Sequence, residues 1–470
     1  MDLVDFRNNA HRIVDWMVNY LETVEKYPVK SQVKPGEIIN KLPLEAPTTG
    51  EDFEKIFTDF EELIIPGITH WQSPNFFAYF PANSSHASIL AEMLMTTLGA
   101  QCMSWETSPA ATELEERVME WLRDMISLPK DFSGVIQDTA STSTTCSLLT
   151  AREQLTNYEI NSTGMNDKGI LTAYCSTETH SSIEKAVKII GIGKENLRKI
   201  PVDENYALQS EALKEAIESD ISNDLKPMAV IATIGTTGST AIDPLKKIGE
   251  ICSKHKIWLH VDAALAGTAL LLPEYQWMIE GIEYADTFVF NPHKWMFTNF
   301  DCSAYFIKDP RALVQTFEIL PEYLKTKAEG VKNFRDWGLQ LGRRFRALKL
   351  WFVIRHFGIE GLQQKVRFHI NLAKSLSQKI EQSPNFELLA PVPLNTICFR
   401  YNPPTIDVEE ELNRLNEELM HRLNNTGKLY MTHTKLNGKY TLRLVTGQTY
   451  TQEKHVNQAW ALIQKEIQKL

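Results

Sequence analysis

A chain of 470 residues, 43% hydrophobic and 23% charged, is too apolar for a disordered protein and long enough for more than one domain core. Its net charge is 49 − 59 = −10, which argues against nucleic acid and anionic membranes as partners but leaves room for a small anion in a locally positive pocket. The six cysteines (Cys102, Cys146, Cys175, Cys252, Cys302 and Cys398) are scattered without a Cys-x-x-Cys pair or zinc spacing, so they read as buried thiols of a cytoplasmic protein.

The chain starts Met1-Asp2-Leu3-Val4-Asp5-Phe6, without the basic and then apolar layout of a signal peptide. Residues 5–27 predict an amphipathic helix with Ile13, Met17, Leu21 and Val24 on one face. A second helix is predicted over 51–65, where Phe53, Phe57, Phe60 and Ile64 are in register and Pro66 stops it. These helices cannot bury their apolar faces alone. They must pack on the main body or on a second subunit. The middle of the chain then alternates. Met228–Thr233 is a strand, Gly235–Thr240 a Gly/Thr turn, and Pro244–His255 a helix. Further strands follow at Ile257–Val261, Thr287–Phe290 and Ala304–Ile307. That alternation predicts an α/β fold with a mainly parallel sheet. The apolar run Ala263–Pro273 is too short to span a membrane. Arg343–Phe357 is a long helical stretch, followed by helices near 359–382, 407–424 and 451–469. Thr396–Tyr401 and Tyr440–Val445 read as strands, with Leu429–His433 pairing through an Asn437-Gly438 turn. The last third therefore reads as a smaller α/β domain.

Ligands of parallel sheets bind outside the carboxyl ends of the strands. Thr237, Asp262 and Asn291 all fall at or just after such ends. Lys294 follows in Asn291-Pro292-His293-Lys294-Trp295, where partial desolvation would make its amine nucleophilic and suited to Schiff-base formation. Alone it reads more readily as a lysine that snorkels to the surface. Its neighbours reverse that weighing. In His260-Val261-Asp262-Ala263-Ala264 a carboxylate ends a buried strand beside small residues, as a pyridinium nitrogen requires. A helix cap or structural ion pair is the plainer alternative for Asp262. The hydroxyl-rich run Gln137–Thr145 precedes a helical stretch from Cys146 to Arg152 and suits a phosphate, or an ordinary capped helix. His180, after the strand-like Ile170–Ser176, could stack on a flat ring, or be a satisfied structural histidine.

Taken together and in this order, these segments resemble the group II pyridoxal-phosphate (PLP) dependent amino-acid decarboxylases, most closely the aromatic-L-amino-acid (DOPA) decarboxylases. The resemblance spans nearly the whole chain. It is carried by Pro66–Trp71, Phe77–Pro81, Ser108–Ala110 with Glu113–Glu115, His180–Ser182, His260–Ala264, Asn291–Trp295 and Leu341–Arg346. It implies PLP fold type I: an N-terminal helical segment (1–85) packing across a homodimer, a large PLP-binding domain (86–357) and a small C-terminal domain (358–470). It implies Lys294 as the Schiff-base lysine, Asp262 as partner of the pyridine nitrogen and His180 as the stacking histidine. Ala140, Ser141 and Asn291, with the His293 backbone, would hold the phosphate, and Thr237 and Ala264 would lie by the ring. Trp71, Tyr79, Phe80 and Ala82 would line the substrate pocket, with Cys102 and Met103 reaching in from the partner. Leu320–Lys325 matches a mobile catalytic loop whose Tyr323 would protonate Cα. Arg343 and Arg344 are expected to be structural.

The implied reaction is decarboxylation of an aromatic L-amino acid to an arylalkylamine. Ala82, Cys102, Met103 and Leu265 depart from the mammalian pattern, and Asp138–Thr142 from the usual phosphate loop, so the preferred substrate stays open among tyrosine, DOPA, tryptophan, 5-hydroxytryptophan and phenylalanine. An aromatic acetaldehyde synthase is the alternative within the fold, disfavoured by the presence of both Tyr323 and His180. An aminotransferase would need an arginine for the α-carboxylate. A non-catalytic relative would be expected to have lost Lys294 or Asp262.

Overall fold

The computed structural model describes residues 1–319 and 330–470, so Tyr323 and the whole of its expected loop, Leu320–Lys325, lie outside the described residues. The described chain falls into two compact units. One comprises Met1–Pro81, Leu372–Leu389 and Ile397–Leu470, the other Ala82–Asn371 and Ala390–Thr396.

The larger unit is built on a seven-stranded sheet: β1 (Ser133–Gln137), β2 (Leu171–Ser176), β3 (Leu197–Ile200), β4 (Lys226–Thr233), β5 (Trp258–Asp262), β6 (Thr287–Phe290) and β7 (Ser303–Ile307). The spatial order is β1-β7-β6-β5-β4-β2-β3. Every residue of β2, β5, β6 and β7 is buried, as continuous apolar strands covered on both faces should be. β2 to β6 are parallel, while β7 runs against both β6 and β1. Two reversals restore direction. β1 therefore points the same way as β6, and the carboxyl ends of β1, β2, β4, β5 and β6 share one edge of the sheet.

The helix after β1 runs from Ala140 to Leu155, six residues earlier than the apolar pattern starts it. Thr139 caps it by accepting from the Thr142 amide. The hydroxyls of Thr145 and Thr150 donate to carbonyls one turn back, at 2.8 and 2.9 Å, so polar β-branched residues can be wound into a buried helix. Helices 343–357 and 359–382 of the sequence reading are one run, Arg346–Glu381, broken at Gly358 (φ 63°, ψ 173°). That left-handed φ is open to glycine at little cost.

The smaller unit carries a sheet of β8 (Phe386–Leu388), β9 (Thr396–Tyr401), β10 (Thr432–Leu436) and β11 (Lys439–Val445), in the order β10-β11-β9-β8. Asn437 and Gly438 both take positive φ, so the expected tight hairpin joins β10 to β11. β10 begins three residues later than predicted because Asn424 captures Met431. The Asn424 side chain accepts from the Met431 amide at 2.9 Å and donates to its carbonyl at 3.0 Å. The first helix spans Leu3–Thr23, capped by Asp2, and none of its residues is buried. The second is shorter than predicted: Phe53–Asp59 passes into a π turn, Phe60–Ile64, and a 3-10 turn containing Pro66. Among the described residues no helix is long and apolar enough to cross a membrane. All six cysteines are buried thiols, none of them in a disulfide among the described residues.

Candidate active site

The shared edge of the large sheet is where the predicted residues come together. Ala140 and Ser141 open the helix after β1, His180 follows β2, Thr237 follows β4, Asp262 ends β5, and Asn291 to Lys294 follow β6. β5 lies at the centre, between β4 and β6, so Asp262 stands among the others. Backbone bonds lock this arrangement. Ala263 N donates to Val289 O, Asn291 N to Ala264 O and Ile234 N to Asp262 O, each at 2.9 Å. The turn after β4 approaches closely enough that a Cβ on Gly235 (φ 83°) would lie 2.7 Å from Ala266 Cβ. This is why the β4 turn and the run after Asp262 both need small residues.

Asp262 is buried, and one of its oxygens accepts from the Ala264 amide at 3.0 Å. Lys294 is half-buried, and its charge acts on both His180 and His293. Packing around His180 lowers its pKa, as does the Lys294 charge, while the Asp262 carboxylate opposes them. Lys294 and Asp262 therefore both lie within electrostatic reach of His180. The His180 ring is nevertheless solvent-exposed, with Nδ1 accepting from the Ser182 amide at 3.2 Å and paired with the Ser182 hydroxyl at 2.8 Å. In the neutral ring this puts the proton on Nε2. His293 is buried, with its pKa pushed down to about 3 by burial and the neighbouring Lys294 charge. Its backbone N–H donates to Cys302 O at 3.3 Å, and its ring Nδ1 accepts from Cys302 N at 2.9 Å.

These residues fit a phosphorylated, protonated pyridine. Asp262 offers a carboxylate to a ring cation. The first-turn amides of helix Ala140–Leu155 have no acceptor within the helix, which suits an oxyanion. Asn291 is buried, and its Oδ1 has no hydrogen-bond partner among the described residues. Turned by half a revolution, the same amide presents a donor to phosphate. Thr237 and Ser141 are exposed and Ala264 half-buried, so ligand-facing atoms remain accessible.

The residues expected around the substrate ring fall in both units. In the smaller unit Trp71 stacks on Tyr79, with ring centroids 5.8 Å apart and planes 17° apart. Tyr79 has φ 50° and is held by Arg443, which donates to its carbonyl at 3.0 Å and sits 4.9 Å from the Phe80 ring. The Tyr79 hydroxyl meets that of Tyr430 at 3.1 Å. In the larger unit Cys102 N donates to Arg343 O at 3.0 Å and Arg335 N to Met103 O at 2.8 Å. Ala82 opens the segment that leads to Asn83. Arg343 is buried against Glu115 at 2.6 Å and also donates to the Ile136 carbonyl at 2.8 Å. Arg344 pairs with Glu92 at the surface. Both act as structural ties.

Asn83 and Tyr430 escaped the sequence reading. Asn83 donates its amide to His293 O at 3.0 Å and its side chain to Lys294 O at 2.7 Å. Nothing local in Pro81-Ala82-Asn83-Ser84 signals that partnership. For Tyr430 the one available signal was an aromatic residue in a predicted strand.

Comparison with known proteins agrees with this geometry. The family described as pyridoxal-dependent decarboxylase conserved domain matches residues 35–402. The chain is 45% identical to phenylacetaldehyde synthase of Arabidopsis thaliana, over 99% of this chain and 96% of that protein. It is 44% identical to tyrosine decarboxylase 2 of Narcissus pseudonarcissus, over 99% of this chain and 94% of that protein. The solved structure of Oryza sativa TDC with PLP and tryptamine superposes with a TM-score of 0.97 at 35% identity, covering 100% of this chain and 99% of that one.

Proposed function

Since the chain belongs to the pyridoxal-dependent decarboxylase family, we infer that it removes the carboxylate of an aromatic L-amino acid and releases the corresponding arylalkylamine. The observation that carries this reading is the convergence of Ala140, Ser141, His180, Asp262, Asn291 and Lys294 on one sheet edge. The aromatic substrate class rests on the relatives, whose names carry phenyl, tyrosyl and indolyl compounds.

When bound, pyridoxal 5′-phosphate supplies an aldehyde and a pyridinium that accepts the electron pair left at Cα when carbon dioxide departs. Lys294 Nζ is the amine that holds the aldehyde. Asp262 keeps the ring nitrogen protonated by presenting a buried carboxylate. The Ala140 and Ser141 amides and the Asn291 side chain bind the phosphate, and His293 steadies the Lys294 segment through Cys302. His180 would cover the ring face, with Thr237 and Ala264 beside it. Trp71, Tyr79, Phe80 and Ala82 take the substrate's aromatic group, with Cys102 and Met103 supplied by the second copy of the chain. Tyr323 delivers the proton to Cα, a step best performed by a positioned acid with water excluded.

The exposed apolar residues of helix Leu3–Thr23 (Leu3 at 84%) and of helix His86–Leu98 (Leu98 at 64%) support a homodimer, with the 1–85 segment crossing to a second copy. Six buried thiols outside any disulfide suit the reducing cytoplasm. Light scattering of the purified protein tests the dimer, and a monomer at micromolar concentration would refute it.

The likeness to phenylacetaldehyde synthase favours a second reading, in which decarboxylation is coupled to oxidative deamination by dioxygen. Tyr323 and His180 weigh toward the amine. The test is to incubate the PLP-loaded enzyme with tyrosine, DOPA, tryptophan, 5-hydroxytryptophan and phenylalanine, scoring amine, carbon dioxide, aldehyde and peroxide together. Amine equal to carbon dioxide, without peroxide, is expected. Aldehyde with peroxide would replace the first reading by the second. Lys294→Ala should lose both the visible absorbance of bound cofactor and turnover, and a variant retaining both would overturn the site.

A further inference from the structure

Beneath the cofactor edge lies a continuous chain of buried hydrogen bonds that the chemistry above does not use. His260, two residues before Asp262 on β5, is fully buried with both ring nitrogens engaged. Nε2 meets Thr144 Oγ1 at 3.0 Å and Nδ1 meets Thr287 Oγ1 at 2.9 Å. Thr287 Oγ1 in turn meets Ser147 Oγ at 2.7 Å, and Ser147 accepts from Trp258 Nε1 at 2.9 Å. Thr144 and Ser147 belong to helix Ala140–Leu155, His260 and Trp258 to β5, and Thr287 to β6. Thr144, Ser147 and Thr287 are, like His260, fully buried.

We propose that His260 is a positioning residue for the cofactor, locking helix Ala140–Leu155, β5 and β6 in the one register that brings the Ala140–Ser141 amides, Asp262 and Lys294 to a common site. The inference rests on the pyridoxal phosphate reading. Each tied element carries one part of the cradle. Thr144 lies one turn after Ala140, His260 is two residues before Asp262, and Thr287 is four before Asn291. Apolar packing alone is non-directional and tolerates sliding. A shift of the helix by one residue, about 1.5 Å along its axis, would break the ties and strand buried polar atoms without partners. Residues i and i+2 of a strand face the same side, so the imidazole and the Asp262 carboxylate point to the same face of the sheet. Burial lowers the His260 pKa to about 4 against the pull of Asp262. The ring therefore stays neutral at physiological pH and leaves the Asp262 charge for the cofactor.

The test uses Thr144→Val and Thr287→Val, which keep shape and remove one tie each, together with His260→Leu, His260→Asn and His260→Gln. Asparagine offers a polar atom near the δ position, toward Thr287, and glutamine one near the ε position, toward Thr144. Cofactor affinity is measured by titrating PLP into the apoprotein, visible circular dichroism reports the geometry of the bound cofactor, and turnover is normalised to bound cofactor. The valine variants should lose about tenfold in kcat per bound cofactor, with KM for the aromatic amino acid within about twofold, because misplaced reacting groups cost rate rather than ground-state binding. They should also bind PLP more weakly and show an altered visible dichroism. The Asn and Gln variants should fall between wild type and Leu. If His260→Leu does not fold, the valine pair decides. Wild-type PLP affinity, kcat per bound cofactor and dichroism in both valine variants would reduce the hydrogen-bonded chain to ordinary core packing and overturn the proposal. A wild-type protein that takes up no PLP would instead overturn the cofactor reading itself.

Discussion

Asn83 holds the segment that bears Lys294 at two points, through its own amide to His293 O at 3.0 Å and through its side chain to Lys294 O at 2.7 Å. A carbonyl held this way fixes the backbone from which the lysine amine reaches. Asn83→Ala leaves that carbonyl short of a buried donor, a loss of about 1–3 kcal/mol. The variant should melt at a lower temperature and turn over about tenfold more slowly, as displaced reacting groups do. Calorimetry and steady-state kinetics at saturating PLP check both effects.

Asp262→Asn preserves size and the acceptor for the Ala264 amide but removes the charge. The folded protein should still bind PLP, more weakly, while kcat falls by about 100-fold or more, the scale seen when a preorganised electrostatic partner is lost. Near-wild-type kcat at saturating PLP would contradict the electron-sink role of the carboxylate.

Two adjacent arginines should behave differently. Arg343→Ala strands the buried Glu115 carboxylate and should destabilise by about 3–5 kcal/mol. Arg344→Ala removes a half-exposed partner of Glu92 and should cost less than about 1 kcal/mol. Glu92 also keeps Lys349 as a partner at 3.0 Å. Urea unfolding midpoints of the two variants test the contrast.

Acid should weaken the fold through buried histidines. His260 is pushed down to about 4, and His293 and His369 to about 3, by burial above all. Above an unfolded-state value of about 6.5 neither state is protonated, so these groups do not affect stability. Below it the unfolded chain takes up protons that the folded chain refuses. Stability then falls as pH drops toward the folded values, by up to about 1.4 kcal/mol per pH unit for each histidine. Buried Asp243, raised to about 7, acts in the opposite sense, because the folded state holds its proton where the unfolded state has released it. His369→Asn isolates one contribution while keeping an acceptor for Trp295 Nε1. Its urea midpoint should decline less steeply than that of the wild type between pH 6 and 4.5.

Much of the chemistry was legible from local pattern. Asp262 and Lys294 stood out because a charged residue directly after a buried apolar strand demands a partner. The hairpin at Asn437-Gly438 was legible because two consecutive positive φ values favour that residue pair. The start of the helix at Ala140 was not. Its first turn is polar and β-branched, and only the Thr139 cap and back-bonded hydroxyls make it helical. Asn83 could not be read at all, because its partner lies 211 residues away.

By itself the sequence determined which residue types end each strand, and hence what chemistry each strand end can offer. Hydrophobic period, turn residues and caps act over a few positions, so one dimension suffices to record them. Only the tertiary structure decided that these ends meet. β7 runs antiparallel between β1 and β6, and that pairing turns the Ala140–Ser141 amides to the same edge as Asp262 and Lys294. The bonds that keep them there, from Asn83 to Lys294 and from His260 to Thr144 and Thr287, join residues remote in the chain. Such contacts form only once buried polar groups, cut off from water, have no other partners to choose.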